Sequence, residues 1–141
     1  MIDTERSAGG ASIDVARAAL EQYHDVQVDD DGALTFAHGG VVCAVQGLQL
    51  EEGLDVLNLT CVVAWDLPFT DDVPTRVALG AGEGLFGTPR VIHGEHGWDV
   101  TLRYAFPAGG LEVRAMGTLL MLVVSSASSL RAALVDQASA R

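Results

Sequence analysis

The sequence predicts an α+β domain: a helix, a three-strand antiparallel meander, a second helix, a β-hairpin and a long C-terminal helix. The expected sheet is five-stranded and antiparallel, with the helices mainly on one face. Three stretches carry this prediction. Leu54 to Pro68 is the longest strand-like run, weighted by Val56, Leu57, Leu59, Cys61, Val62, Val63 and Trp65. Trp98, Val100, Leu102, Tyr104 and Phe106 alternate with Asp99, Thr101, Arg103 and Ala105, a clean period of two. Val113, Met116, Leu120, Val123, Ala127, Leu130 and Leu134 recur at helical spacing.

Taken in order, residues 1–11 are polar and Gly-containing and read as a flexible tail. Residues 12–137 form a single domain, and 138–141 a C-terminal tail. Ser12 is placed to cap the first helix, whose apolar stripe is Ile13, Ala16, Leu20 and Tyr23. That helix should end near His24, and Val26 and Val28 fit a short extended piece after it. A turn at Asp29 to Gly32 leads into a strand from Ala33 to His38. Gly39-Gly40 is a two-residue hairpin turn by composition. It sets Phe36 opposite Cys43 and Leu34 opposite Val45.

The next strand is Val41 to Leu50. Glu51-Glu52-Gly53 is a three-residue loop, with Gly53 free to adopt the left-handed conformation such a loop wants. Counting back pairs Leu50 with Leu54 and Cys43 with Cys61. One face then carries Val41, Cys43, Val45, Leu57, Leu59, Cys61, Val63 and Trp65 and reads as core. The other carries Gln46, Asn58 and Thr60 among apolar neighbours such as Val42 and Val56. A slip of one residue would exchange the faces, so burial holds the register. Pro68 ends the strand, and a linking helix from Val73 to Leu85 is expected despite Gly80, Gly82 and Gly84. Arg90 to His93 and Trp98 to Phe106 make the second hairpin. The last helix runs from Leu111 to Gln137. Leu119 and Leu122 make its first half apolar nearly all round, so that half should be buried on two sides.

The chain has 141 residues, 19 acidic and 8 basic, for a formal net charge of -11. Every basic residue is Arg. Such acidity argues against nucleic acid and anionic membrane surfaces, because phosphate binding needs cations. The acids gather in the expected loops at Asp29 to Asp31, Glu51-Glu52 and Asp71-Asp72, which read as a solvated surface or as a site for a basic partner. No basic segment followed by an apolar run opens the sequence, and the run Leu119 to Val124 is too short to cross a bilayer. A cytoplasmic protein is expected. In that compartment Cys43 and Cys61 read as buried thiols, although their cross-strand pairing makes a disulfide conceivable under oxidation.

Several chemistries fail on spacing or context. Gly82-Glu83-Gly84-Leu85-Phe86-Gly87 spells a dinucleotide fingerprint, but a helix-like segment precedes it and Pro89 with a strand follows. His93 and His96 are two ligands where zinc wants three or four. Arg103-Tyr104-Ala105-Phe106 lacks the Gly of an RNA-recognition strand, and the charge is wrong for RNA. Ser125, Ser126, Ser128 and Ser129 have no nucleophile elbow around them. Asp71 and Asp72 are neighbours in a helix cap and face no common cleft. The sequence therefore predicts no catalytic residue, no cofactor and no metal: the protein is not expected to be an enzyme.

The first helix, the run Val26-Gln27-Val28-Asp29-Asp30-Asp31-Gly32-Ala33-Leu34-Thr35-Phe36, and the meander ending in Trp65-Asp66-Leu67-Pro68 set an order that the linking helix, hairpin and long last helix complete. From Ser12 to Asp136 this order resembles that of the YbjN-like proteins, whose fold is similar to that of type III secretion chaperones. The resemblance implies a small non-enzymatic domain that binds peptides or partner proteins, often as a dimer. Family members often carry Asn and Trp in the linking helix, and this chain has neither there. The alternative is a regulatory or scaffold subunit of the profilin or roadblock kind, acting as a dimer. Its strand order differs, with two strands before the middle helix and three after. The candidate partner-binding residues are Gln46, Asn58 and Thr60 on the mixed sheet face, where an extended peptide could add itself, and Leu119 and Leu122 on the last helix.

Overall fold

The computed structural model describes residues 10–79 and 86–139, with the backbone alone over 136–139. The elements are α1 (Gly10–Glu21), β1 (Gln27–Val28), β2 (Leu34–His38), β3 (Val41–Glu51), β4 (Leu54–Leu67), α2 (Val73–Ala78), β5 (Thr88–His93), β6 (Trp98–Pro107) and α3 (Val113–Ser139). The strands form a six-stranded sheet in the order β1-β2-β3-β4-β6-β5, with antiparallel neighbours throughout. The chain leaves β4, passes through α2 to the far edge as β5, and returns as β6 beside β4.

The sixth strand corrects the expected five. Gln27 and Val28 pair with Thr35 and Leu34. Their turn is locked by Asp29, whose Oδ1 accepts from the backbone N–H of Asp31 and of Ala33, each at 2.9 Å. A short polar side chain bonding its own turn makes a two-residue strand possible.

The meander registers agree with the sequence count. Phe36 faces Cys43, Leu34 faces Val45 and Cys43 faces Cys61. Gly39 and Gly40 sit at φ 57° and 83°, the paired left-handed values a two-residue hairpin needs. At the next tip the count slips. Glu51, not Leu50, faces Leu54, because a bulge lies between Gln49 and Glu51. The extra residue lets the strand end meet the left-handed Gly53 at φ 82°.

Trp65 is the clearest departure. It was expected in the core and is 54% exposed. Two irregularities cause this: Val62 faces Thr101, Ala64 faces Val100 and Leu67 faces Trp98, so β4 gains residues against β6. Val63 and Ala64 are both buried, and the alternation then resumes with Trp65 outside and Leu67 inside. Asp66 is held at φ 57°, unusual for a non-Gly residue, and its N–H donates to Asp99 Oδ1 at 3.0 Å. Gly97 lies directly under this bend, where a Cβ would stand 2.5 Å from the Leu67 carbonyl oxygen.

The core gathers Val41, Cys43, Val45, Leu57, Leu59, Cys61 and Val63 from β3 and β4, with Val100, Leu102 and Phe106 from β6, against α1 and α3. Helix α3 contributes Met116, Leu120, Val123, Val124, Ala127, Leu130 and Leu134, all fully buried. By length and composition α3 could cross a membrane, and here that buried stripe seats it in the core. It begins at Val113, two residues after the expected Leu111.

Helix α1 begins at Gly10, inside the segment expected as tail, so Ser12 is no cap. Ser12 is buried and its Oγ donates to Asp55 Oδ2 at 3.4 Å. Tyr23, expected in the apolar stripe, lies past the helix end and is 83% exposed. The expected helix from Val73 to Leu85 is observed as α2 over Val73–Ala78, and residues 80–85 lie outside the described residues. Arg76 ties α2 to α3 by donating to the carbonyls of Ala133 at 2.7 Å and Leu134 at 3.4 Å. Four strands precede α2 and two follow it, unlike the two-and-three order of a roadblock-type chain.

Candidate partner-binding surfaces

The predicted site residues fall on two surfaces. Gln46 and Asn58 face each other across β3 and β4 on the outward side of the sheet. They line one hollow of about 410 Å³ together with Ile13, Asp31, Ala33 and Leu48. Thr60 is on the same side but apart from that hollow, between Ala44 on β3 and Arg103 on β6. The sequence grouping of the three is thus split. The Oδ1 of Asn58 is buried and has no hydrogen-bond partner among the described residues. Val42, Leu48 and Leu50 are exposed on this side at 48%, 53% and 60%.

Leu119 and Leu122 lie on α3. Both line an open groove of about 640 Å³ with Leu111, Arg114 and Thr118. Leu122 also borders a larger groove of about 770 Å³ between α1 and α3, which Leu20, Tyr23, His24, Val113 and Met121 line. Leu122 is therefore a ridge between two grooves, and it is 41% exposed. The expectation that this half of α3 is buried on two sides holds toward the sheet and toward α1, where Gly117 lies against Ala19, but not around the exposed Leu122. In the larger groove Arg114 is the one lining residue with a permanent charge, and residues 115–130 carry none.

Tyr23 and His24 were not among the candidate partner-binding residues. They reach the groove because the N–H groups of both turn back to the Leu20 carbonyl, closing α1. His24 Nε2 and His38 Nδ1 lie 3.1 Å apart, and the edge of the His24 ring meets Phe36 at 5.2 Å between centroids. Only a tertiary contact between the end of α1 and the end of β2 brings these imidazoles together, so no local pattern signals them.

Other polar residues have structural roles. His93 stacks on Phe69 at 4.4 Å and makes a T-shaped contact with Trp98 at 5.0 Å, while remaining exposed. Ser126 Oγ donates to the Leu122 carbonyl at 2.9 Å and accepts from the Phe86 N–H at 3.0 Å. Cys43 and Cys61 are free, buried thiols. The hydrogen bond it shares with Cys61, and then burial, push the Cys43 thiol well above its ordinary range and favour its protonated form. Among the described residues no three of His, Cys, Asp and Glu gather as a metal site.

No family model matches the chain, and no curated protein matches it. Among solved structures, the chain is similar to the type III secretion chaperone SycH of Yersinia pestis, solved in complex with a stable fragment of YscM2. The identity is 10%, the match covers 84% of this chain and 98% of that one, and the TM-score is 0.44.

Proposed function

We propose that this protein is a non-enzymatic module that binds a peptide or protein partner, in the manner the YbjN-like resemblance implies. The observation that carries this reading is the outer face of α3. A helix on the surface of a protein with 19 acidic and 8 basic residues leaves residues 115–130 without a charge. Leu122 stands on that face as a ridge between grooves of about 770 and 640 Å³. Solvated helix faces are ordinarily charged, and apolar grooves with an exposed anchor fit the side chains of a partner segment. The partner's apolar residues would sit astride Leu122, in contact with Leu119, Met121 and Val113.

Light scattering across a dilution series tests this first. A dimer that persists on dilution and is broken by Leu122→Glu assigns the face to a second copy and favours the scaffold reading. A monomer at all concentrations leaves the face for a different protein. Leu122→Glu should then abolish capture of that protein without lowering thermal stability. Capture that survives both Leu119→Glu and Leu122→Glu would overturn the assignment.

A further inference from the structure

Strand β3 is longer than the strand that covers it. β2 pairs with β3 only as far as Val45, while β3 runs on to Glu51 against β4. Residues 46–51 therefore have a partner strand on one side only among the described residues. Alternate residues of such an overhang present N–H and C=O groups outward, ready for another strand.

The hollow of about 410 Å³ lies along this open edge. Its lining comes from both sides of the sheet: Gly10 and Ile13 of α1 from the inner side, and Gln46, Leu48 and Asn58 from the outer. Asp31 and Ala33 close one end. The buried Asn58 Oδ1 lacks a donor among the described residues. The exposed Leu48 and Leu50 offer alternate apolar contacts.

Charge decides what fits. No Lys or Arg occurs between Arg17 and Arg76, the stretch that builds β1 to β4. Asp29 to Asp31 stand at the turn where β2 begins, and Glu51 and Glu52 stand at the far tip of the overhang. An unpaired edge is ordinarily blunted by Lys or Pro. The edge strand β5 carries a Pro and a cation, Pro89 and Arg90. Residues 46–51 contain neither.

We infer that the overhang of β3 is a strand-addition site for a cationic extended peptide, in which Lys or Arg alternates with apolar residues. Such a strand runs beside Gln46 to Glu51, about 20 Å for six residues. Its cations meet the acids at the two ends, and its apolar side chains meet Leu48 and Leu50. This surface is separate from the α3 face, so either can fail without the other.

The test uses the full-length protein and three labelled twelve-residue peptides: one alternating Lys with Val, one alternating Glu with Val, and one with the Lys residues separated by Gly. Fluorescence anisotropy at low salt should show binding of the Lys–Val peptide only. Its affinity should fall at least tenfold in Leu48→Lys, and be unchanged in Leu122→Glu. Amide exchange should slow at residues 46–51 when the peptide is bound. Equal binding of the Lys–Gly peptide would reduce the effect to bulk charge and overturn the inference. So would protection along β5, no loss in Leu48→Lys, or no binding of the Lys–Val peptide at all. Leu48 is exposed, so a folded Leu48→Lys variant is expected, and its thermal melt verifies this.

Discussion

The two halves of β3 share a strand and an alternation, yet have different fates. From Val41 to Val45 the strand is flanked by β2 and β4, and Val41, Cys43 and Val45 are buried to 1% exposure or less. From Gln46 to Glu51 β4 is the one strand beside it among the described residues, and Leu48 and Leu50 stand more than half exposed. The side-chain period decides which way a residue points. Whether anything lies above it or beside it depends on where β2 begins, and β2 begins just after the turn that Asp29 ties.

The largest expected effect is in the covered part. Leu59 is fully buried and faces Val45, so Leu59→Ala should cost about 3 kcal/mol in urea unfolding. If the loss is under about 1 kcal/mol, as cavity series show only for collapsible sites, the inner face is not the tight core described.

Gly97→Ala comes next. Its Cβ would be 2.5 Å from the Leu67 carbonyl oxygen and 2.6 Å from the Asp66 carbonyl carbon, and backbone yields poorly. A cost of about 1–3 kcal/mol is expected, with the Asp66–Leu67 bend displaced. Unchanged amide shifts at Asp66 and Asp99 would contradict the packing of that bend.

The glycine turns sharpen the contrast between covered and open regions. Gly40 and Gly53 have nearly equal φ, 83° and 82°. An added Cβ at Gly53 meets nothing within 4 Å, while at Gly40 it meets Arg131 Nε at 2.7 Å. Both Ala variants lose about 1–2 kcal/mol to left-handed strain. Gly40→Ala should lose more, because Arg131 Nη1 donates to the Val63 carbonyl at 2.9 Å and would be pushed aside. Equal melting temperatures for the two variants would show that the Arg131 contact adds nothing.

A smaller effect concerns the thiols. The Cys61 hydrogen bond, and then burial, raise the folded Cys43 above its ordinary value of 9.0. The unfolded thiol ionises near that value. Stability from this group is therefore whole below pH 9 and is lost as the pH climbs above it. The fall in urea midpoint between pH 7.5 and 10 should be shallower in Cys43→Ala than in the wild type. The smallest effect is in the open half of β3: Leu50→Ser should stay within about 0.5 kcal/mol of wild type, since its side chain is already 60% exposed.

Much of the candidate surface was legible because register is arithmetic. Gly39-Gly40 sets Phe36 opposite Cys43, and the pairing of Gln46 with Asn58 follows by counting back from the Glu51-Glu52-Gly53 loop. Thr60 shares their parity but not their hollow, since the hollow needs α1 and the Asp31 turn to close it. Leu122 was visible as an apolar residue outside the main stripe of α3. Tyr23 and His24 were not visible as groove residues, because their place depends on how α1 stops against α3.

By itself the sequence determined the main secondary elements and the inward residues of the meander as far as Val63. These depend on short-range spacing: the two-residue period of a strand, the helical repeat and the turn residues between them. Only the tertiary structure decided that Trp65 faces out, that β1 joins the sheet, and that β3 outruns its neighbour. Each of those depends on a second segment. The insertion of residues in β4 is defined only against β6, a two-residue strand exists only against β2, and an edge is open only where no other strand arrives.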